Sequence, residues 1–280
     1  MHTKTSPAYI IANTVKWLLL LFLLFVALVP IIWLVISSFK TNLEIQTSPF
    51  SFPASPQWSN YKNALHMASL PRLFINSVVI AIVSVALNVM VTSFASFVLS
   101  REQFKGREVL FTVLTAGVLI PVISFMVPYF SMMTKMHLYN KLIALVLVYS
   151  SVNIPVSMFL VTGYMKSIPK ELEEAAIIDG CSFSQRYFKM IMPLSKSGLV
   201  TAGTFCFIYC WNEFNMAMLL TSSIESRTIQ LGIKFFTSQF ITDYASMYAA
   251  IVLTIIPSVI GYVFLHNQLI GGLTAGAVKG

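Results

Sequence analysis

Long uncharged apolar runs alternate along this chain with short charged ones, and the length of the runs decides what the chain can fold into. Uncharged windows of roughly two dozen residues, the length a helix needs to cross a bilayer, run Trp17 to Phe39, Leu73 to Ser100, Val109 to Thr134 and Leu142 to Met165. A fifth runs from about Ser197 to Thr221, interrupted only by Glu213, and a sixth from Tyr244 to about Leu265. The pattern predicts an all-α integral membrane protein of six transmembrane helices, a single domain over residues 1–280. Lys4 and Lys16 precede the first run, but that run is too long for a secretory h-region and no small-residue cleavage site follows, so the helix is expected to stay attached.

Between the fourth and fifth runs lies SIPKELEEAAIIDGCSFSQRYFKMIMP, Ser167 to Pro193, a charged stretch with helical patterning. Ser167 reads as an N-cap, Pro169 suits a first turn, and Glu171, Glu173 and Glu174 put negative charge where the helix dipole favours it. Gly180 is expected to stop that helix, and Ser182 with Gln185 fits a capping box for a second one, which Pro193 ends. Leu172, Ala175, Ala176 and Asp179 recur at helical spacing beside Glu173 and Glu174, giving a face of mostly small residues that another surface can approach closely. Two readings stand on the pattern alone: an amphipathic connector lying on the membrane surface, or an element that docks a water-side partner.

Composition agrees with the membrane assignment, since 57% of residues are hydrophobic and only 10% charged, with a mean hydropathy of +0.79. The net charge of +8 would suggest nucleic acid in a soluble protein. Here the basic residues flank the apolar runs, where they meet lipid headgroups and set topology, so nucleic acid is not an expected partner. With the N-terminus in the cytoplasm, 11 of the 18 Lys and Arg residues fall inside, the largest cluster of them in and beside the 167–193 stretch, and both termini are expected to face the cytoplasm. Cys181, Cys206 and Cys210 make no disulfide framework. Cys206 and Cys210 share a helical face, but no His or carboxylate joins them there, so the pair reads as helix packing and no metal site is expected. The loop from Lys40 to Arg72 holds Pro49, Pro53, Pro56 and Pro71 with Trp58 and Tyr61 between, which favours ordered turns; a docking surface and a packed connector both fit it.

Glu213 stands well inside an apolar run, and an intramembrane carboxylate is costly unless it faces water or a partner. With Trp211, Asn212 and Asn215 it supplies a ring, amides and a charge suited to a polyhydroxylated ligand; pairing with a basic residue of a sister subunit, or a gate, is the alternative. Asn153 and Pro155, and likewise Pro121 and Pro128, mark polar or kinkable points of the kind that line cavities.

EAAIIDGCSFSQRYFKMIMP resembles the E-A-A-x3-G-x9-I-x-L-P loop of permease subunits in ATP-binding-cassette (ABC) importers, matching it at Glu174, Ala175, Ala176, Gly180 and Pro193, with Met190 and Met192 in place of the usual Ile and Leu. IPKELEEAAIIDG, WNEF at Trp211 to Phe214 and the terminal GLTAGAVKG are similar to the carbohydrate-uptake branch, specifically the smaller maltose-permease-like subunit. The resemblance implies that the 167–193 loop forms cytoplasmic coupling helices that sit in a cleft of an ATPase. Glu174 would pair with a basic residue there, Ala175 and Ala176 would pack closely, Asp179 would share that face and Gly180 would make the turn. Lys279, in the tail, would reach the ATPase.

The implied machine is an importer of a sugar or oligosaccharide in a bacterial or archaeal cell (inner) membrane, with a second permease as heterodimer partner, two cytoplasmic ATPases and an extracellular sugar-binding protein. The chain would catalyse nothing and bind no cofactor, the ATP being used by the partner subunits. No G-x-x-x-x-G-K-[ST] phosphate loop occurs in it, as that division of labour requires. An ion-coupled secondary transporter is the competing class; it usually carries several intramembrane carboxylates and an internal repeat.

Overall fold

The computed structural model describes residues 7–67, 69–236 and 243–277, and these divide into two compact units. Among them 3 helices are long and apolar enough to cross a membrane, and 3 further helix pairs pass the same test as bent spans.

The first unit holds residues up to 68 together with 235–253. Its α1 (Pro7–Ser37) is apolar on every side and exposes nearly all of its large side chains, as a helix solvated by lipid does. The following segment is an ordered knot with two short helices, α2 (Asn42–Thr47) and α3 (Ser59–Met67). Thr41 and Glu44 form a capping box. The Thr41 and Ala54 N–H groups bonded to the Glu44 carboxylate hold its pKa below the ordinary value. Asn60 donates to the Ser38 and Lys40 carbonyls at 2.8 and 2.9 Å, closing the knot on itself.

The second unit holds residues 69–234 and 254–280. Its central helix α4 (Leu70–Arg101) is unbroken. Its three bent helix pairs break at Ile120–Pro121, Asn153 and Ser195. Ile120 is extended because Pro121 follows it, and the break turns the chain by 99° between the segment that contains α5 (Arg107–Ala116) and the one that contains α6 (Met126–Lys135). Pro128 sits inside α6 without breaking it. Asn153 separates α7 (Leu142–Val152) from α8 (Ile154–Ser167) at 46°, where Pro155 supplies no N–H.

Then come α9 (Lys170–Ile178), α10 (Phe183–Gln185), a π-helical turn over Arg186–Ile191, α11 (Met192–Leu194) and α12 (Lys196–Asn212). The chain closes with α13 (Asn215–Leu220), α14 (Ile229–Gly232) and α15 (Tyr244–Ala277), the last shared between the units. The helices of the second unit meet through small residues and polar cross-links. A Cβ on Gly198 would come within 2.6 Å of the Tyr164 ring, so only glycine permits that approach. Asn88 donates to the Ser150 carbonyl at 2.9 Å and Thr162 to Ser96 Oγ at 3.0 Å.

Candidate functional site

Two places in the second unit hold the residues the sequence singles out. The first is the loop of α9 and α10. Ser167 does not cap α9. It is the last residue of α8, its hydroxyl donates back to the Tyr164 carbonyl at 2.7 Å, and α9 begins two residues after Ile168 with Pro169 at its N-terminal boundary. Gly180, at φ +79°, does end the helix, in the left-handed region where a side chain is strained. Ser182 and Gln185 do form their reciprocal capping box. Pro193 does not end the second helix: it lies within α11, and the break falls at Ser195, where the chain turns by 73° into α12.

What sequence reading missed is the clamp beneath this loop. Glu173, 6% exposed, points inward from α9 and takes Arg186 Nη1 at 2.7 Å. Arg101, at the end of α4, faces the same carboxylate at 3.7 Å, while Arg186 Nη2 also reaches Glu102 at 2.9 Å. Arg101 further donates to the Met165 and Ile168 carbonyls, closing the open end of α8. Two carboxylates and two guanidiniums thus neutralise one another where the loop meets the bundle. The signal was present in REQ at the end of one apolar run and in the odd man out of the EE pair, but only the fold brings these positions together. Aromatic packing extends the clamp: Phe97 lies 5.1 Å from the Phe183 ring and 5.2 Å from Tyr187, whose hydroxyl meets Ser93 at 2.6 Å.

Clamping Glu173 inward turns the other face outward. Glu174, Ala175, Asp179 and Gly180 are exposed and Ala176 half-buried. Leu172, Ile177 and Ile178 expose 46%, 52% and 84% of their surface, a concentration of bare apolar side chains on a polar loop.

The second place is a break at Glu213. The Ser197–Thr221 run is not one helix, because α12 stops at Asn212, Glu213 is extended, and α13 starts afresh at Asn215. Such a break leaves orphan backbone groups in a setting with no water to take them. The Glu213 carboxylate accepts from the Met216 N–H at 2.7 Å, the Ala217 N–H at 3.0 Å and the Tyr149 hydroxyl at 2.7 Å. On the other side of the break the Trp211 carbonyl accepts Gln230 Nε2 at 3.0 Å. Glu213 is therefore held within its own chain, its charge set against the positive end of α13.

Asn212, Glu213 and Asn215 line a cavity of about 400 Å³ with Tyr209, Met126 and Phe214, and both asparagines are exposed. Trp211 is not with them. It is 1% exposed, packed against Phe74 and Phe207, and its indole donates to the Thr254 carbonyl at 3.1 Å, so the ring is not on offer for stacking in this arrangement. Asn153 is also apart, buried and donating to the Tyr149 carbonyl at 2.8 Å, one turn from the residue that holds Glu213. A larger cavity of about 830 Å³ between α4, the π-helical turn and α12 is walled mainly by Val, Met and Phe side chains and offers a sugar few hydrogen-bonding groups. Lys279 lies outside the described residues.

Bent apolar helices around polar break points, with a charged two-helix loop clamped at one end, are the architecture of an all-α membrane domain. The fold recurs, at a TM-score of 0.82 and 24% identity over 94% of this chain and 98% of the other, in the crystal structure of a bacterial ABC transporter involved in the import of the acidic polysaccharide alginate. Residues 92–269 match the binding-protein-dependent transport system inner membrane components, and the chain belongs to that family. It is 32% identical over 280 residues to the sulfoquinovosyl glycerol transport system permease protein SmoH of Agrobacterium fabrum, covering 99% of this chain and 98% of that one. It is 30% identical to the arabinooligosaccharides transport system permease protein AraQ of Halalkalibacterium halodurans, over the whole of both. These relatives are transport permeases, and the family is not enzymatic.

Proposed function

We propose that this chain is one of two permease subunits in an ATP-driven importer of a sugar or oligosaccharide, crossing the membrane six times with both termini in the cytoplasm. The observation that carries the reading is the exposed face of α9, where Glu174, Ala175 and Ala176 stand beside bare Leu172, Ile177 and Ile178 while Glu173 is locked beneath. A surface of that kind fits a cleft in a cytoplasmic ATPase, with Glu174 and Asp179 at its polar edge. The described residues allow up to six spans if each bent pair counts as one; in this reading the fifth crossing begins at α12, and residues 167–193 stay outside the bilayer as the coupling loop.

Coupling then follows from rigidity. Closure of an ATPase dimer on ATP pushes on α9, and the Glu173 clamp passes the displacement to the ends of α4 and α8 rather than letting the loop swing. The broken spans supply the hinges at which the bundle opens alternately to each side. Asn212, Glu213 and Asn215 are the candidate pathway contacts in this chain, with Trp211 and Asn153 behind them. An extracellular binding protein would deliver the sugar, in line with the binding-protein-dependent transport that defines the family.

The deciding experiment reconstitutes the chain with the permease, ATPases and binding protein encoded beside it and follows uptake of a labelled oligosaccharide panel. ATP-dependent uptake that survives collapse of every ion gradient supports the reading. Uptake driven by an ion gradient with ATP absent overturns it. Gly180→Pro, which forces φ to about −65° where the turn needs a positive value, is expected to abolish ATP-driven uptake while the bundle stays folded.

A further inference from the structure

The segment that follows α1 does not simply leave the membrane. We propose that residues 49–52 form a re-entrant lip that seats Phe50 and Phe52 in the boundary between acyl chains and headgroups of the leaflet farther from Lys16.

The depth follows from α1. Lys16 marks the edge at which the helix enters hydrocarbon, and a core of roughly 30 Å at about 1.5 Å per residue takes about 20 residues, carrying the opposite edge to about Ile36. Any tilt moves that edge further along the helix. Trp33 therefore lies about 5 Å inside it. The Trp33 indole donates to the Pro49 carbonyl at 2.8 Å, so the chain, having left α1 at Ser37, has come back down to Trp33 by Pro49. Phe50, joined to that carbonyl through one peptide bond, is 86% exposed, and Phe52 is 79% exposed.

Two further features suit this segment to an apolar surrounding. Irregular backbone at full membrane depth needs its polar groups satisfied internally, whereas at the headgroup boundary water and headgroups share that task. The Lys40 ammonium, itself fully buried, donates to the Ser48 and Pro49 carbonyls at 3.0 and 2.9 Å, Ser51 N–H returns to the Ser48 carbonyl at 3.2 Å, and Pro49 and Pro53 have no N–H to satisfy, while the Phe50 and Phe52 N–H groups are left for the boundary to take. No charged residue occurs between Glu44 and Lys62. Aromatic side chains at this level match the interfacial belts of membrane proteins, and the lip is continuous with the lipid-facing surface of α1.

Spin labels placed by Phe50→Cys, Phe52→Cys and Ser55→Cys in a Cys181→Ser background, in the full complex in liposomes, test the depth. Ser55 serves as the aqueous comparator because it follows Ala54, whose N–H is held by Glu44 beyond the end of α1. Collisions with oxygen relative to a water-soluble nickel chelate are expected to be several-fold higher at 50 and 52 than at 55. Nickel accessibility at 50 and 52 equal to that at 55 overturns the lip, and so does shielding from both reagents, which would mean a protein partner covers it. The unmodified chain gives an independent reading: a lipid carrying a carbene precursor on its acyl chain is expected to leave adducts on residues 49–52, and adducts on α1 with none on that segment refute the proposal.

Discussion

In the loop that follows α8, Glu173 is neutralised by two arginines; at the break in the fifth apolar run, Glu213 is hydrogen-bonded by two backbone N–H groups and a tyrosine hydroxyl, with no counter-ion among the described residues. Both carboxylates are buried, at 6% and 9% exposure. The difference lies in what each holds together. Glu173 ties separate elements, α9, the π-helical turn and the end of α4, through long side chains whose charges must be matched. Glu213 caps the start of α13, using dipoles already present there, and takes its third bond from the uncharged Tyr149 of α7. A rigid transmission element and a hinge call for these two solutions respectively, and substitutions that treat them alike are the way to break the comparison.

The largest effect is expected from Glu173→Ala. It leaves the buried Arg101 without a counter-charge and Arg186 with Glu102 alone, and removing one partner of a buried ion pair costs about 3–5 kcal/mol. Thermal unfolding of the detergent-purified complex is expected to move down accordingly, with ATP-driven uptake lost. The double variant Glu173→Ala, Arg186→Ala is expected to recover part of the loss; if the two effects simply add, the clamp is not a coupled unit.

Glu213→Ala comes next, at about 2–3 kcal/mol, because it strands two backbone N–H groups and the Tyr149 hydroxyl in the bundle. Glu213→Gln keeps one acceptor and loses the charge, so its destabilisation is expected to fall below that of Ala. If Gln transports with unchanged apparent affinity and rate, Glu213 is a structural cap and the pathway contacts are Asn212 and Asn215 alone.

These two sites also differ in how far the sequence reveals them. The apolar runs, the stop at Gly180 and the Ser182–Gln185 capping box are legible because each rests on local geometry, a span length, a positive φ or an i to i+3 reach. That Glu213 matters is legible too, since a lone carboxylate in an apolar run needs a reason. Its partner is not, because Tyr149 lies 64 residues away and the helix break that frees the Met216 and Ala217 N–H groups carries no Pro or Gly to announce it. The Arg101–Glu173–Arg186–Glu102 cluster was hidden for the same reason: it joins positions up to 84 residues apart, and Glu173 looks in sequence like its neighbour Glu174. Trp211 shows the converse error. Proximity in WNEF suggested one site, but successive helical residues point in different directions, so Trp211 turns into the core while Asn212 stays exposed.

Tyr149→Phe sharpens the comparison at smaller scale. It removes one of three donors to Glu213 without stranding the carboxylate, and about 1 kcal/mol is expected from the lost bond. Combined with Glu213→Gln in a double-mutant cycle, it separates the tyrosine bond from the capping of α13: strong coupling assigns the stability of the break to Tyr149, weak coupling assigns it to the two N–H groups.

The smallest effect on stability is expected from Ile178→Ser, and this makes it the most discriminating change for the loop. Ile178 is 84% exposed and touches little of its own chain, so its replacement by a polar residue is expected to shift unfolding by less than about 0.5 kcal/mol. If the bare face of α9 seats against an ATPase, the same change removes apolar contact from that interface and ATP-driven uptake falls even though the permease is as stable as before. Glu173→Ala loses transport by loosening the clamp, whereas Ile178→Ser would lose it with the clamp intact. A chain that carries Ile178→Ser and transports at the normal rate would mean that the exposed face is not the coupling surface, however firmly Glu173 holds it in place.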